Sequence, residues 1–303
     1  MSVLTITVLL LGVCCLGSRV SGYMTDTKRQ ELLDEHNRLR AELHRYGLPW
    51  ASNMKALEWD DRAEYSAFLW AKRCIYRHDT DSQRRFKPYS QVGQNYFILP
   101  PDYKGTLKGL VKAWFDEYKD YDSASNTCTS GKECGHYLQV VWANTQYVGC
   151  YDQEVCSKDK KRFIVCNYVS RGYLKNVKPY KTGRWCSACP AGYGFCLDGR
   201  LCVRREVCDT TDGTCKCSLR ASSCKNGGVF DPYDCVCKCS EGWYGRVCEK
   251  ECKDRYYGYC KESKHCYTGY YSDQYFCRKT CKNCRIKYDW RARNKYDIVT
   301  NGY

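Results

Sequence analysis

Cysteine is the residue type with the widest chemistry in this 303-residue chain, which carries 26 of them. Thiols can pair as disulfides, hold zinc as thiolates, or run redox exchange. Cys14 and Cys15 fall within residues 1–22, so 24 remain if that stretch is removed, an even number that complete pairing would use up. Cys186-x-x-Cys189 has the spacing of half a zinc site or of a redox pair. In so bridge-dense a chain, structural disulfides are the reading adopted, and cysteine usage of this kind excludes a reducing cytosol. The second chemical resource is positive charge, with a formal net charge of +15. Its densest run is Arg285, Lys287, Arg291, Arg293 and Lys295, a pattern suited to anionic glycans or acidic headgroups. Nucleic acid is not an expected partner for a chain outside the cell.

These residues need elements to position them. Aromatic residues make up 15% of the chain, 28 of them Tyr, which excludes disorder over most of its length. Mean hydropathy is −0.65, and the single continuous apolar stretch, Val3 to Leu16, is short for a membrane span. Its position, followed by Gly17, Ser18, Ser21 and Gly22, predicts a signal peptide over 1–22 and a secreted chain without a transmembrane segment. Cysteine density divides the rest. Residues 23–180 hold six Cys, whereas 181–284 hold eighteen. The first part can bury an ordinary apolar core; the second must be stapled.

The first part reads as α+β. Thr27 to Gln30 fits a capping box, followed by Leu32, Leu33, His36, Leu39 and Leu43 at helical spacing, which puts His36 near the edge of the core. A second helix is expected from about Met54 to Cys74 and a third over Leu107–Tyr118. Tyr137–Trp142, Tyr147–Tyr151 and Phe163–Val169 read as antiparallel strands.

The run from Gly135-His136-Tyr137 through Val148-Gly149-Cys150 resembles the signature of the CAP superfamily, also called SCP domains, which includes cysteine-rich secretory proteins. Cys166-Asn167-Tyr168, His36-Asn37-x-x-Arg40 and the stretch from Leu57-x-Trp59 to Trp70-Ala71-x-x-Cys74 resemble other motifs of that family, in order. The resemblance implies a three-layer α-β-α sandwich over 23–180, with bridges Cys74–Cys156, Cys128–Cys134 and Cys150–Cys166; spacing alone does not choose among the pairings. Residues 181–206 resemble the cysteine-rich hinge that follows many such domains. Residues 207–251 resemble an EGF-like module, with Gly serving tight turns and no calcium signature. Residues 252–284 resemble an ShK-type toxin fold, implying Cys252–Cys284, Cys260–Cys277 and Cys266–Cys281. A basic tail, 285–303, follows.

The family resemblance also implies a cavity where two His and two acids can hold zinc or another divalent ion. Here His78, His136 and Glu117 match, but the second acid is replaced by Gln94 in Gly93-Gln94-Asn95. Two imidazoles and water could hold zinc weakly, with Glu117 orienting one ring; otherwise these groups bond one another and hold helices to sheet. No cofactor is required and no catalytic residue is assigned, because no motif places a Ser beside the His and no Cys is expected to be free. The pore-plugging Lys of channel-blocking ShK toxins is replaced by Tyr271, with Ser272 beside it. The expected function is non-enzymatic binding of an extracellular receptor, channel, matrix component, glycan or lipid. A venom-type channel modulator and a CAP-type protease are the alternatives.

Overall fold

The computed structural model describes residues 24–251, apart from 175, 211, 212 and 241. The expected signal peptide, the module from Cys252 to Cys284 and the basic cluster from Arg285 to Lys295 lie outside the described residues.

The first helix, α1 (Asp26–Ala41), is capped by Thr25 and not by Thr27: the Thr25 hydroxyl accepts the Lys28 N–H at 3.3 Å. This start leaves Asp26 in the first turn, where the helix dipole favours an acid, and frees Gln30 to bond Asp34. The second helix is shorter than the sequence suggests. The Asn37 side chain donates to the Leu57 carbonyl at 2.9 Å and accepts its N–H at 2.7 Å, imitating a strand partner. That holds the chain extended into β1 (Glu58–Trp59). Asp60 then caps α2 (Asp61–Ala71) by accepting the Arg62 and Ala63 N–H groups, both at 2.9 Å. A single turn, α3 (Asp81–Arg84), precedes β2 (Val92–Leu99), a strand that sequence reading missed.

Next come α4 (Leu107–Asp116), the short pair β3 (Tyr121–Asp122) and β4 (Thr127–Cys128), and α5 (Gly135–Val140). The last corrects an expectation, since Tyr137–Trp142 was read as a strand. Its Tyr and Val residues suit a strand locally, but Glu117 accepts the His136 and Tyr137 N–H groups at 3.0 and 3.2 Å, capping a helical turn. Tyr137, Leu138, Gln139 and Val140 are then all buried, so tertiary context overrides propensity. The strands β5 (Tyr147–Gln153) and β6 (Arg162–Val169) complete a four-stranded sheet in the order β1-β5-β6-β2. The β1–β5 pair, which the sequence did not reveal, is parallel; β5–β6 and β2–β6 are antiparallel.

The result is a three-layer α-β-α sandwich, and β6 shows why. Its Phe163 and Val165 pack with Ala67, Trp70 and Ala71 of α2, while Ile164, Cys166 and Tyr168 face α1, α4 and α5. Alternate side chains of one strand therefore serve two cores. Gly149 allows α2 to lie close to β5: a Cβ there would stand 2.2 Å from the Glu64 nitrogen.

Two polar residues lie inside the larger core. His36 is fully buried, not at the core edge. Its ring nitrogens lie 2.7 Å from the Leu32 carbonyl and 2.8 Å from the Tyr168 hydroxyl, and burial lowers its pKa to about 4. Arg40, 1% exposed, donates to the carbonyls of Lys55, Val140, Trp142 and Thr145 at 2.7–3.4 Å. One side chain thereby satisfies acceptors of two stretches of chain, at 55 and at 140–145, groups that would be costly to leave unpaired.

The cysteine-dense region docks on this sandwich through the backbone. Here β7 (Phe195–Leu197) lies between β8 (Leu201–Val203) and β9 (Cys215–Cys217), and Cys202 exchanges hydrogen bonds with Met54 and Ala56. Two hairpins follow, β10 (Val229–Asp231) with β11 (Val236–Lys238) and β12 (Trp243–Tyr244) with β13 (Lys250–Glu251). The disulfides fall into closed sets. Cys186–Cys196 interlocks with Cys189–Cys202, and Cys208–Cys215 closes alone. Cys217–Cys235, Cys224–Cys237 and Cys239–Cys248 form the last set. Gly227, Gly242 and Gly245 in that set have positive φ, as tight turns demand. Arg246 ties the last set to the first, donating to the Ser187 and Cys186 carbonyls at 2.6 and 3.2 Å. No helix of the described residues is long and apolar enough to cross a membrane.

Candidate functional site

The cavity forms around β2, the edge strand, and draws on both helical layers. Gln94 and Tyr96 face the α2 side, whereas Asn95 and Phe97 face α4 and α5. His78, on the loop after α2, meets the Tyr96 ring edge-on with centroids 4.7 Å apart. His136, at the start of α5, approaches from the other side, with its ring nearly parallel to Phe97 and Trp114 at 6.5 and 6.3 Å. The two imidazoles line one cavity of about 430 Å³.

Each imidazole is held by its own partner. The His136 Nδ1–H donates to Glu117 Oε1 at 2.6 Å. Glu117 ends α4, so one carboxylate caps α5 and orients the ring that opens it. His78 Nδ1–H donates to Gln94 Oε1 at 2.9 Å. The Gln94 amide is fixed in turn: its Nε2 donates to Asn167 Oδ1 at 3.0 Å, its direct cross-strand partner in the β2–β6 register. Partial desolvation, aided by the charges of Arg84 and His136, holds the His78 pKa below its usual value. Asn95, 1% exposed, donates to the His136 carbonyl at 3.2 Å and the Tyr168 hydroxyl at 3.4 Å, linking the cavity to the buried His36.

The donor set defines what this arrangement can hold. With both Nδ1 atoms engaged, the Nε2 atoms of His78 and His136 are the nitrogens left for a ligand. Two imidazoles with water could hold a divalent ion only weakly, with Gln94 and Glu117 acting behind them. Among the described residues, these two His do not belong to any group of three His, Cys, Asp or Glu whose ligand atoms all lie within 4.8 Å of one another. The sulfurs of Cys186, Cys189 and Cys202 do lie that close together, but each is tied in a disulfide and offers no thiolate.

The six Cys of the sandwich are joined as Cys74–Cys156, Cys128–Cys134 and Cys150–Cys166. Cys128 and Cys134 line the cavity but carry no free thiol. Ser125 does not line the cavity, and its hydroxyl is bonded to Asp122 at 2.5 Å and Thr127 at 2.7 Å. Sequence reasoning missed Arg84, Lys132, Gln139 and Arg171, which also line the cavity. Gln139 was within reach, since it lies inside the 135–150 run. Arg84 ends α3, and Lys132 and Arg171 lie in two separate loops; none carries a sequence signal.

Residues 33–168 match the model of the cysteine-rich secretory protein family, CAP. The chain is 35% identical over 232 residues to a cysteine-rich venom protein of Conus textile, covering 76% of this chain and 69% of that protein. It is also 35% identical over 207 residues to human cysteine-rich secretory protein LCCL domain-containing 2; that match takes in 63% of this chain and spans 39% of the relative's length. Among solved structures, the venom allergen-like protein 4 of Schistosoma mansoni shares 28% identity over 53% of this chain and 97% of its own, with a TM-score of 0.44.

Proposed function

This chain belongs to the cysteine-rich secretory protein (CAP) family, and from that premise we propose that it is a secreted protein that binds an extracellular target without turning it over. The cavity wall carries this reading. Among the described residues lining it there is no Ser, no Thr and no free Cys. A hydrolase needs a nucleophile or activated water beside its base, and a site for developing charge. His136 and Glu117 provide a base and its orienter, but nothing for the base to activate in the protein itself. The target class is a receptor, channel, matrix component or lipid. A divalent ion held by His78 and His136 would supply a positive centre for an anionic group of that target.

The organisation we propose is a signal peptide at 1–22, the sandwich, a hinge at 181–206, an EGF-like module at 207–251, an ShK-type module at 252–284 and a basic tail. The closed pairing sets support the hinge and EGF-like boundaries, since a module whose cysteines pair among themselves can fold as a unit. The test is binding of labelled full-length protein to cultured cells. Saturable, reversible binding that survives Glu117→Gln supports a binding protein; label processed with release of cleaved cell-surface peptide contradicts it. The venom name of the Conus textile relative favours one second reading, channel modulation. It predicts altered currents when the full chain is applied to a channel panel.

A further inference from the structure

A second surface, away from the cavity, carries positive charge that acidic side chains leave mostly unpaired. The Cys74–Cys156 bridge brings together two basic stretches, its Cα atoms 5.8 Å apart. Lys72, Arg73 and Arg77 lie on one side and Lys158, Lys160 and Lys161 on the other, all exposed. Ring contacts fix their proximity. The ammonium groups of Lys158 and Lys161 stand over the same ring, Tyr76, at 4.1 and 5.6 Å from its centre. Arg73 lies over Trp70 at 5.7 Å, and the Trp70 indole N–H donates to the Arg77 carbonyl at 2.8 Å.

The acids around this face are already engaged. Asp159 accepts the Tyr76 hydroxyl at 2.6 Å and pairs with Lys161 at 3.7 Å. Asp79 is buried against Arg84, and Glu154 is paired with Lys28. Among the described residues, Lys72, Arg73, Arg77, Lys158 and Lys160 form no ion pair. A protein surface ordinarily intersperses the two signs, so concentrated, uncompensated charge on a disulfide-held frame points to a polyanionic partner.

We infer that this face binds a linear sulfated glycan. The exposed apolar area here decides against a lipid surface. Trp70 and Phe163 are buried, the Tyr76 hydroxyl is tied to Asp159, and only Ile75 and Val155 are exposed beside the bridge, at 37% and 53%. Interfacial binding requires a broader apolar face, usually with Trp, Phe or Leu in it. Ammonium and guanidinium groups in fixed positions suit repeated sulfates instead, and the bridge and Tyr76 reduce the ordering that binding would demand. The inference rests on reading the chain as a binding protein. It uses none of the cavity residues, and the basic cluster at Arg285–Lys295 lies outside the described residues.

Heparin is the probe, with the full chain, at physiological salt. Lys158→Gln/Lys160→Gln/Lys161→Gln is expected to weaken heparin binding at least about tenfold, while the Lys→Arg triple at the same positions retains it. Lys104→Gln/Lys108→Gln/Lys178→Gln, which removes equal charge elsewhere, is expected to leave affinity within about twofold. Near-UV circular dichroism checks that each variant keeps its fold. The inference is overturned by no retention of the wild-type chain, by equal loss in both Gln triples, or by loss only when Arg285, Lys287, Arg291, Arg293 and Lys295 are neutralised. Binding to phosphatidylserine vesicles in place of heparin overturns it as well. Saturable cell binding without heparin binding would sink this inference alone and leave the proposed function standing.

Discussion

Residues 24–180 contain all twelve of the largest fully buried side chains, Trp114, Tyr137 and Tyr168 among them, and carry three disulfides. Residues 181–251 contain none of those side chains and carry six. The two regions hold their folds by different terms. Burying one large apolar side chain stabilises the sandwich by about 1.5–3 kcal/mol. In the later region the unfolded chain is restricted instead, by about 2–4 kcal/mol per bridge. Both candidate sites, the cavity and the basic face beside Cys74–Cys156, lie in the packed region, whose interior holds separated groups in fixed positions.

Full reduction should separate the regions most sharply. Amide protection is expected to vanish over 181–251 while β2, β5 and β6 keep theirs, measured by hydrogen exchange with dithiothreitol present. Simultaneous loss in both would show that the sandwich core does not stand without its bridges. Within the sandwich, Cys74→Ala/Cys156→Ala opens a sequence separation of 82 residues and should cost about 4–5 kcal/mol. Cys128→Ala/Cys134→Ala, with a separation of 6, should cost about 2 kcal/mol. Denaturant titration reads both, and equal costs would argue that local strain, not chain restriction, governs these bridges.

Arg40→Met tests the core's polar fastening. It strands the carbonyls of Lys55, Val140, Trp142 and Thr145 and should cost about 4 kcal/mol in the same titration. A neutral result would mean that those acceptors find other donors. His36 makes stability pH-dependent. Its folded pKa, about 4, lies below the usual 6.5, so the unfolded chain takes up the proton first. Its contribution is complete above pH 6.5 and is lost as pH falls from 6.5 toward 4, on the order of 3 kcal/mol in all. His36→Gln should flatten that part of the Tm profile; an unchanged slope would assign it to other groups.

Much of the sandwich was legible in the sequence because helical periodicity and the β-branched runs of β5 and β6 are local signals. The failures have physical causes. The strand β2 was missed because Gln94 and Asn95 sit buried in it, polar residues that break an apolar pattern yet are satisfied by Asn167, Tyr168 and the His136 backbone. The turn at α5 was misread because its cap, Glu117, comes from another helix. Helical spacing put His36 near the edge of the core and could not reveal that Tyr168, 132 residues away, would meet its ring in the interior. The sequence named His78, Gln94, Glu117 and His136 one at a time; it did not show that His78 pairs with Gln94 and His136 with Glu117.

The central claim is that these paired imidazoles serve binding and drive no bond cleavage. It is tested most directly by incubating purified full-length protein with a diverse peptide library, followed by mass spectrometry, in parallel with His136→Ala. The account predicts that wild type and variant give the same product-free spectra, whether or not zinc is added. Peptides cleaved by the wild type and left intact by His136→Ala would contradict it.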